Sequence, residues 1–231
     1  GLGILGVVLM TGSLRLDTII ADQANSGVWN CFLQPLGLFV FVIAAFAEAA
    51  RLPFDLPEAE QELIGGYHTE YAGLKLLLFL VAEFLHMITA SFLIVILFFG
   101  GWHFWGITGD VNTDLTWPLA ILRLAVLSAK IFGVILFFMM VRWSWPRFRF
   151  DQLMALAWKV LLPLGLINLV AVAVMVEFGP ALEARFGAGV YWIFALVGWL
   201  VLLAAWVIAA LVSPAHDDNR PLRAQEFDIE A

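Results

Sequence analysis

Six carboxylates fall within residues 48–73, EAARLPFDLPEAEQELIGGYHTEYAG, together with one arginine and two prolines. Glu48, Asp55, Glu58, Glu60 and Glu62 are groups that exchange protons, and partial burial moves a carboxyl toward neutral pH. Further along, Glu83 and His86 lie three apart with Phe79 four before Glu83, so an acid and an imidazole share one helical face. Arg123 and Lys130 are seven apart and also share a face, and Glu177 closes a later apolar run. An isolated charge at the centre of a bilayer costs about 2.5–3.5 kcal/mol on insertion scales. Two readings follow: structural ion pairs between helices, or a path along which protons move. Several such groups in one small bundle favour the path.

The elements that must position these groups are membrane helices. The chain has 231 residues, 63% hydrophobic and 13% charged, with mean hydropathy +0.95. Soluble domains carry about 25% charged residues. Runs such as LIVILFF (93–99) and VILFFMM (134–140) are continuous and lack the alternation of a β-barrel. The expected fold is all-α, a polytopic transmembrane helix bundle with about five full spans and a partial one at the start. The partial span is 1–12, and the full ones are 33–50, 74–99, 117–141, 156–178 (kinked at Pro163) and 190–212. A turn at Gly179-Pro180 precedes the last span. Residues 13–31 read as an external loop or interfacial segment, and 213–231 as a polar cytoplasmic tail.

Net charge −7 argues against nucleic acid as a partner. A lone cysteine, Cys31, leaves no disulfide and no thiolate set for an iron–sulfur cluster within the chain. No metal-ligand spacing is present either. The start, GLGILGVVLMTG, lacks an initiator methionine and lies inside an apolar run, which reads as a truncated helix in a fragment. Arg51, Lys75, Arg142, Arg147, Arg149, Lys159, Arg220 and Arg223 fall on one side, against Arg15, Arg123 and Arg185 on the other. That bias places loops 51–73 and 142–155 on the cytoplasmic or matrix side.

The acidic loop has its own grammar. Pro53 and Pro57 bracket Phe-Asp-Leu and stiffen the exit from the preceding helix. PEAEQELIGG suits a short helix with Pro57 first, acids in its first turn and Gly65-Gly66 at its end. On the same face, WPRFRF supplies aromatic and arginine groups that could meet those acids.

These residues also carry a family resemblance. EAARLPFDLPEAEQELIGGYHTEYAGLKLLLFLVAEFLHM, continuing to LFFGGW (97–102), resembles the H-subunit family of NADH:quinone oxidoreductases, whose mitochondrial counterpart is NADH dehydrogenase subunit 1 of respiratory complex I. WPRFRFDQLMALAWKVLLPLGLINL (145–169) and QPLG (34–37) are similar to other blocks of that family, in the same order. The resemblance implies a multi-pass subunit of a bacterial plasma membrane or mitochondrial inner membrane. It implies a part of the quinone-reduction chamber, with quinone as substrate and no catalytic residue in the chain by itself. FMN and iron–sulfur clusters would belong to partner subunits of the hydrophilic arm, with small membrane-arm subunits and lipid as further partners.

By position, the resemblance carries quinone proximity to Arg51, Phe54 and Asp55, with Arg142, Arg147 and Arg149 near the chamber. It carries a proton or charge relay to Glu48 and Glu83, with Glu58, Glu60 and Glu62 in the loop between. His86 and Lys130 join the relay on spacing alone. The family has about three more helices before the segment matching residue 1, and the span at 190–212 exceeds its eight-helix form. A related membrane anchor of a membrane-bound hydrogenase is the alternative. An independent ion transporter would show repeated, broken helices, which this sequence lacks.

Overall fold

A computed structural model describes residues 1–49, 54, 73–109, 116–146, 148 and 150–212. Among these residues the regular structure is helical throughout, and four helices are long and apolar enough to cross a membrane. A fifth crossing arises if α1 (Leu2–Thr11) and α2 (Leu16–Ser26), bent 64° from one another, form one broken span. The bend follows Gly12, which ends α1 in the left-handed region at φ 68°. Residues 13–31 are therefore less a loop than a second helix, with Ile19, Ile20 and Gln23 turned inward.

The segment read as one full span at 33–50 is made of two pieces. α3 covers Asn30–Leu33 and α4 covers Pro35–Glu48, with Gln34 between them at φ −133°, ψ 61°. Pro35 drives its predecessor out of the helical region, so the break is local chemistry. At 14 residues, α4 extends about 21 Å, short of the ~30 Å hydrocarbon core. By contrast, α5 (Leu74–Phe98, 25 residues) and α6 (Trp117–Ser144, 28 residues) have ample length.

The third long helix differs from the sequence expectation twice. After α7 (Phe150–Ala155), the chain widens into a π-helical segment at Leu156–Leu161, closed by a bond from Leu162 N–H to the Ala157 carbonyl. Pro163 then falls in the first turn of α8 (Leu162–Phe186), where its missing N–H matters least. The looser turn takes up what the sequence assigns to a kink at Pro163. Gly179-Pro180 does not end this helix; α8 runs through both to Phe186, and the turn is a short 3₁₀ stretch at Gly187–Gly189. One proline removes one backbone donor, which packed helices tolerate. The last helix, α9, covers Val190–Val212.

Three packing relations position the functional groups. α1 lies against α4 and α8; α9 lies against α3, α4 and α8; α5 lies between α2, α4 and α6. One apolar cluster joins Ala45 and Phe46 of α4 to Met87, Ala90 and Ile94 of α5 and Phe138 of α6. It fixes the end of α4 beside the middle of α5.

Candidate functional site

Glu48 is the last residue of α4 and stands largely exposed. Its carboxylate Oε1 is 4.0 Å from Nε2 of His86 on α5. That separation is too long for a strong hydrogen bond and suits an ion pair that exists only when the imidazole is protonated. Neither group lies in the apolar cluster; both stand at its edge, near buried Phe46 and Met87. Glu83 is half-buried, one turn before His86 on the same helix. The shared face read from spacing thus opens toward the carboxylate that ends α4.

Phe54 is buried against the same cluster, and its ring stacks on Phe148 at 5.3 Å between centroids. The acidic loop and the basic loop therefore meet through two aromatic rings. Phe54, expected as a quinone contact, thus packs one face of its ring on Phe148. Arg142, in the last turn of α6, lines a cavity of about 230 Å³ with Phe84, Met87, Phe138, Met139 and Trp143. That cavity lies beside the helix that carries Glu83 and His86. Arg51, Asp55, Glu58, Glu60, Glu62, Arg147 and Arg149 lie outside the described residues.

A second polar constellation gathers at the C-terminal end of α5. A helix leaves its last carbonyls without intrahelical partners, and inside a bilayer water is not there to take them. Here side chains take them. Gln23 Nε2 donates to the carbonyls of Ile96 at 3.0 Å and Leu97 at 3.4 Å, and Asn30 Nδ2 donates to Leu97 at 2.9 Å. Gln23 Oε1 in turn accepts the backbone N–H of Asn30 at 3.1 Å. Lys130 of α6 donates to the carbonyls of Phe99 (2.7 Å), Gly101 (3.0 Å) and His103 (2.6 Å). The turn that presents these carbonyls needs Gly100 and Gly101 at φ 70° and 54°.

Spacing groups Lys130 with the relay, but its ammonium is bound by three backbone oxygens with the Trp29 ring 4.4 Å away. Arg123 faces the same turn: its Nε donates to the Thr108 carbonyl at 3.2 Å, and its guanidinium lies 4.1 Å from the Trp102 ring. The two cations do share a face, and it faces the turn after α5. Reasoning from charge misses Gln23 and Asn30, because an amide in a polar-looking segment carries no flag. The usable signal is LFFGG, a helix end inside apolar surroundings that must find donors.

A third polar spot lies where α1, α4 and α8 cross. Gln34 and Asn168 are 1% and 3% exposed, and a Cβ at Gly6 would come within 2.7 Å of both amides. Gln34 Nε2 donates to the Gly6 carbonyl at 3.2 Å, while Gln34 Oε1 and Asn168 Nδ2 are buried without a hydrogen-bond partner among the described residues.

Comparison with known proteins adds the lineage. Residues 1–173 match the family described as NADH dehydrogenase. The chain belongs to that NADH dehydrogenase family. The H subunit of the NADH-quinone oxidoreductase of Flavobacterium psychrophilum is 45% identical over 174 residues, 75% of this chain and 50% of the relative. Subunit 8 of the Rhodothermus marinus enzyme is 42% identical over 186 residues, and the H subunit from Salinibacter ruber 42% over 190. These cover 75% and 78% of this chain and 53% and 54% of the relatives. The chain thus spans about half the length of the curated relatives it matches. Within the family match lie both polar sites of α5; α9 and the last turns of α8 lie beyond it.

Proposed function

We propose that this chain serves as the H-type membrane subunit of a proton-translocating NADH:quinone oxidoreductase, working with the other subunits of that complex. The match over residues 1–173 carries this reading. In it, quinone is the substrate, partner subunits of the hydrophilic arm hold FMN and iron–sulfur clusters, and loops 51–73 and 142–155 face the cytoplasm or matrix. In this reading Arg51, Phe54 and Asp55 serve the quinone head group, together with Arg142, Arg147 and Arg149.

Reduction of quinone puts negative charge on its oxygens. Carboxylates close to that charge respond by taking protons. Glu58, Glu60 and Glu62 are the loop groups placed to respond first in this reading. Glu48, at the junction of loop and membrane, passes the change to His86 and Glu83. The approach of Glu48 to His86 supports that route: a pair at 4.0 Å tightens when the imidazole gains a proton and loosens when it loses one.

The test uses the assembled complex in sealed vesicles. Glu48→Gln and Glu83→Gln are each expected to lower the protons moved per electron delivered to quinone. Wild-type turnover and wild-type stoichiometry in both variants would reject the relay.

A further inference from the structure

We infer that Lys130 is a fixed cation that caps α5 within the membrane, and that it takes no part in proton exchange. All three of its N–H bonds are committed, to the carbonyls of Phe99, Gly101 and His103. Each lies just past the end of α5, where the helix dipole places partial negative charge. The ring of Trp29 closes one side of the ammonium at 4.4 Å, and that of Phe104 stands at 5.7 Å. A neutral amine could offer only two N–H donors, so losing the proton would leave one of the three carbonyls without its donor. Gln23 and Asn30 hold the two carbonyls before this set. The carbonyls of Ile96, Leu97, Phe99, Gly101 and His103 so engaged form a capped end contributed by α2, α3 and α6.

A proton carrier needs a second state that its surroundings accept, and here the neutral amine would leave one of three carbonyls unmet. Beside it lies a cavity of about 780 Å³, lined mostly by apolar side chains of α3, α4, α5, α6 and α9, with Lys130 the charged residue in its wall and Cys31 also lining it. That space can admit the larger head group of an arginine, which stays protonated at any working pH.

The experiment compares Lys130→Arg and Lys130→Met in the full complex. The capping role predicts roughly tenfold less assembled complex for Lys130→Met, as expected for losing several bonds to a charged group. In what assembles, the turn freed of its cation should open more often, so the amides of Phe99 and Gly101, which donate to the Val95 carbonyl, and of His103, which donates to Gly100, should exchange with deuterium faster. Lys130→Arg should assemble and move the wild-type number of protons per electron. This last arm rests on the function proposed above; assembly and amide exchange do not, so failure of one reading is separable from failure of the other. Lys130→Arg that reduces quinone but moves fewer protons would overturn the inference, as would Lys130→Met with normal assembly and unchanged exchange. If neither variant assembles, Trp29→Leu decides, because it removes the ring beside the ammonium and leaves the charge. Faster exchange at the same three amides supports the cap, and unchanged exchange overturns it.

Discussion

From Leu74 to His86 every residue of α5 is exposed or half-buried, whereas from Met87 to Phe98 most are buried. The first half carries Glu83 and His86, and the second half ends in carbonyls bound by Gln23, Asn30 and Lys130. One helix therefore holds two kinds of intramembrane polarity. At its end, each of these donors has a fixed partner. Near its middle, an imidazole meets a carboxylate at 4.0 Å, a contact that changes with a single proton. Charge inside a membrane marks function by default, but these two sites differ in whether the hydrogen bonds are already committed.

The capped end is the more sensitive of the two sites to loss of a side chain. Gln23 is 1% exposed, donates to the α5 carbonyls and accepts from Asn30, so Gln23→Leu strips buried backbone groups of Ile96, Leu97 and Asn30 of a partner. A buried group so stranded costs about 1–3 kcal/mol, and relaxation recovers part of the sum. A loss of roughly 2–4 kcal/mol is expected, read as a lower thermal midpoint of the detergent-solubilised complex. Protons per electron in the surviving complex should not change. A normal midpoint would mean that the capped end is less rigid than its bonds suggest.

Gly6→Ala tests whether such tightness extends to the crossing of α1, α4 and α8. A new Cβ would press on the Gln34 and Asn168 amides at once, and both are held in the interior. Overpacking of this kind costs about 1–3 kcal/mol. The same melting measurement applies, with a smaller shift expected than for Gln23→Leu. An equal or larger shift would move the mechanical centre of the bundle from the end of α5 to this crossing.

How much of this is legible in the sequence follows from the physics of each feature. Long apolar runs declare themselves, so α5 and α6 are visible from composition and continuity. Family blocks around residues 48–102 and 145–169 are legible because long ordered motifs seldom arise from composition. The break at Gln34 is latent in Pro35, but a proline beside apolar residues also suits a helix's first turn, which is where it stands in α4. Gly179-Pro180 reads as a turn because both residues disfavour helix; neighbouring α9 packs on α8 and outweighs local preference. Lys130 is legible as important and illegible as to purpose. Spacing places it on a face with Arg123, and only the path of residues 99–103 decides what that face meets.

The smallest effect on stability is expected at His86, midway along α5, and it tells the two sites apart most clearly. His86 and Glu48 have side chains 39% and 73% exposed within this chain, and their contact is a single weak one. His86→Ala removes no buried hydrogen bond of the apolar cluster, since Met87 and Ala90 supply the packing on that side of α5. The stability change should stay within about 0.5 kcal/mol, as for an exposed ion pair. Proton transfer should respond far more strongly, because the variant removes the group that Glu48 meets. A complex that melts like wild type yet moves fewer protons per electron would mark this site as functional and not structural. A complex that melts several degrees lower and pumps normally would reverse the assignment, making His86 a strut and leaving Glu48 and Glu83 to act without it.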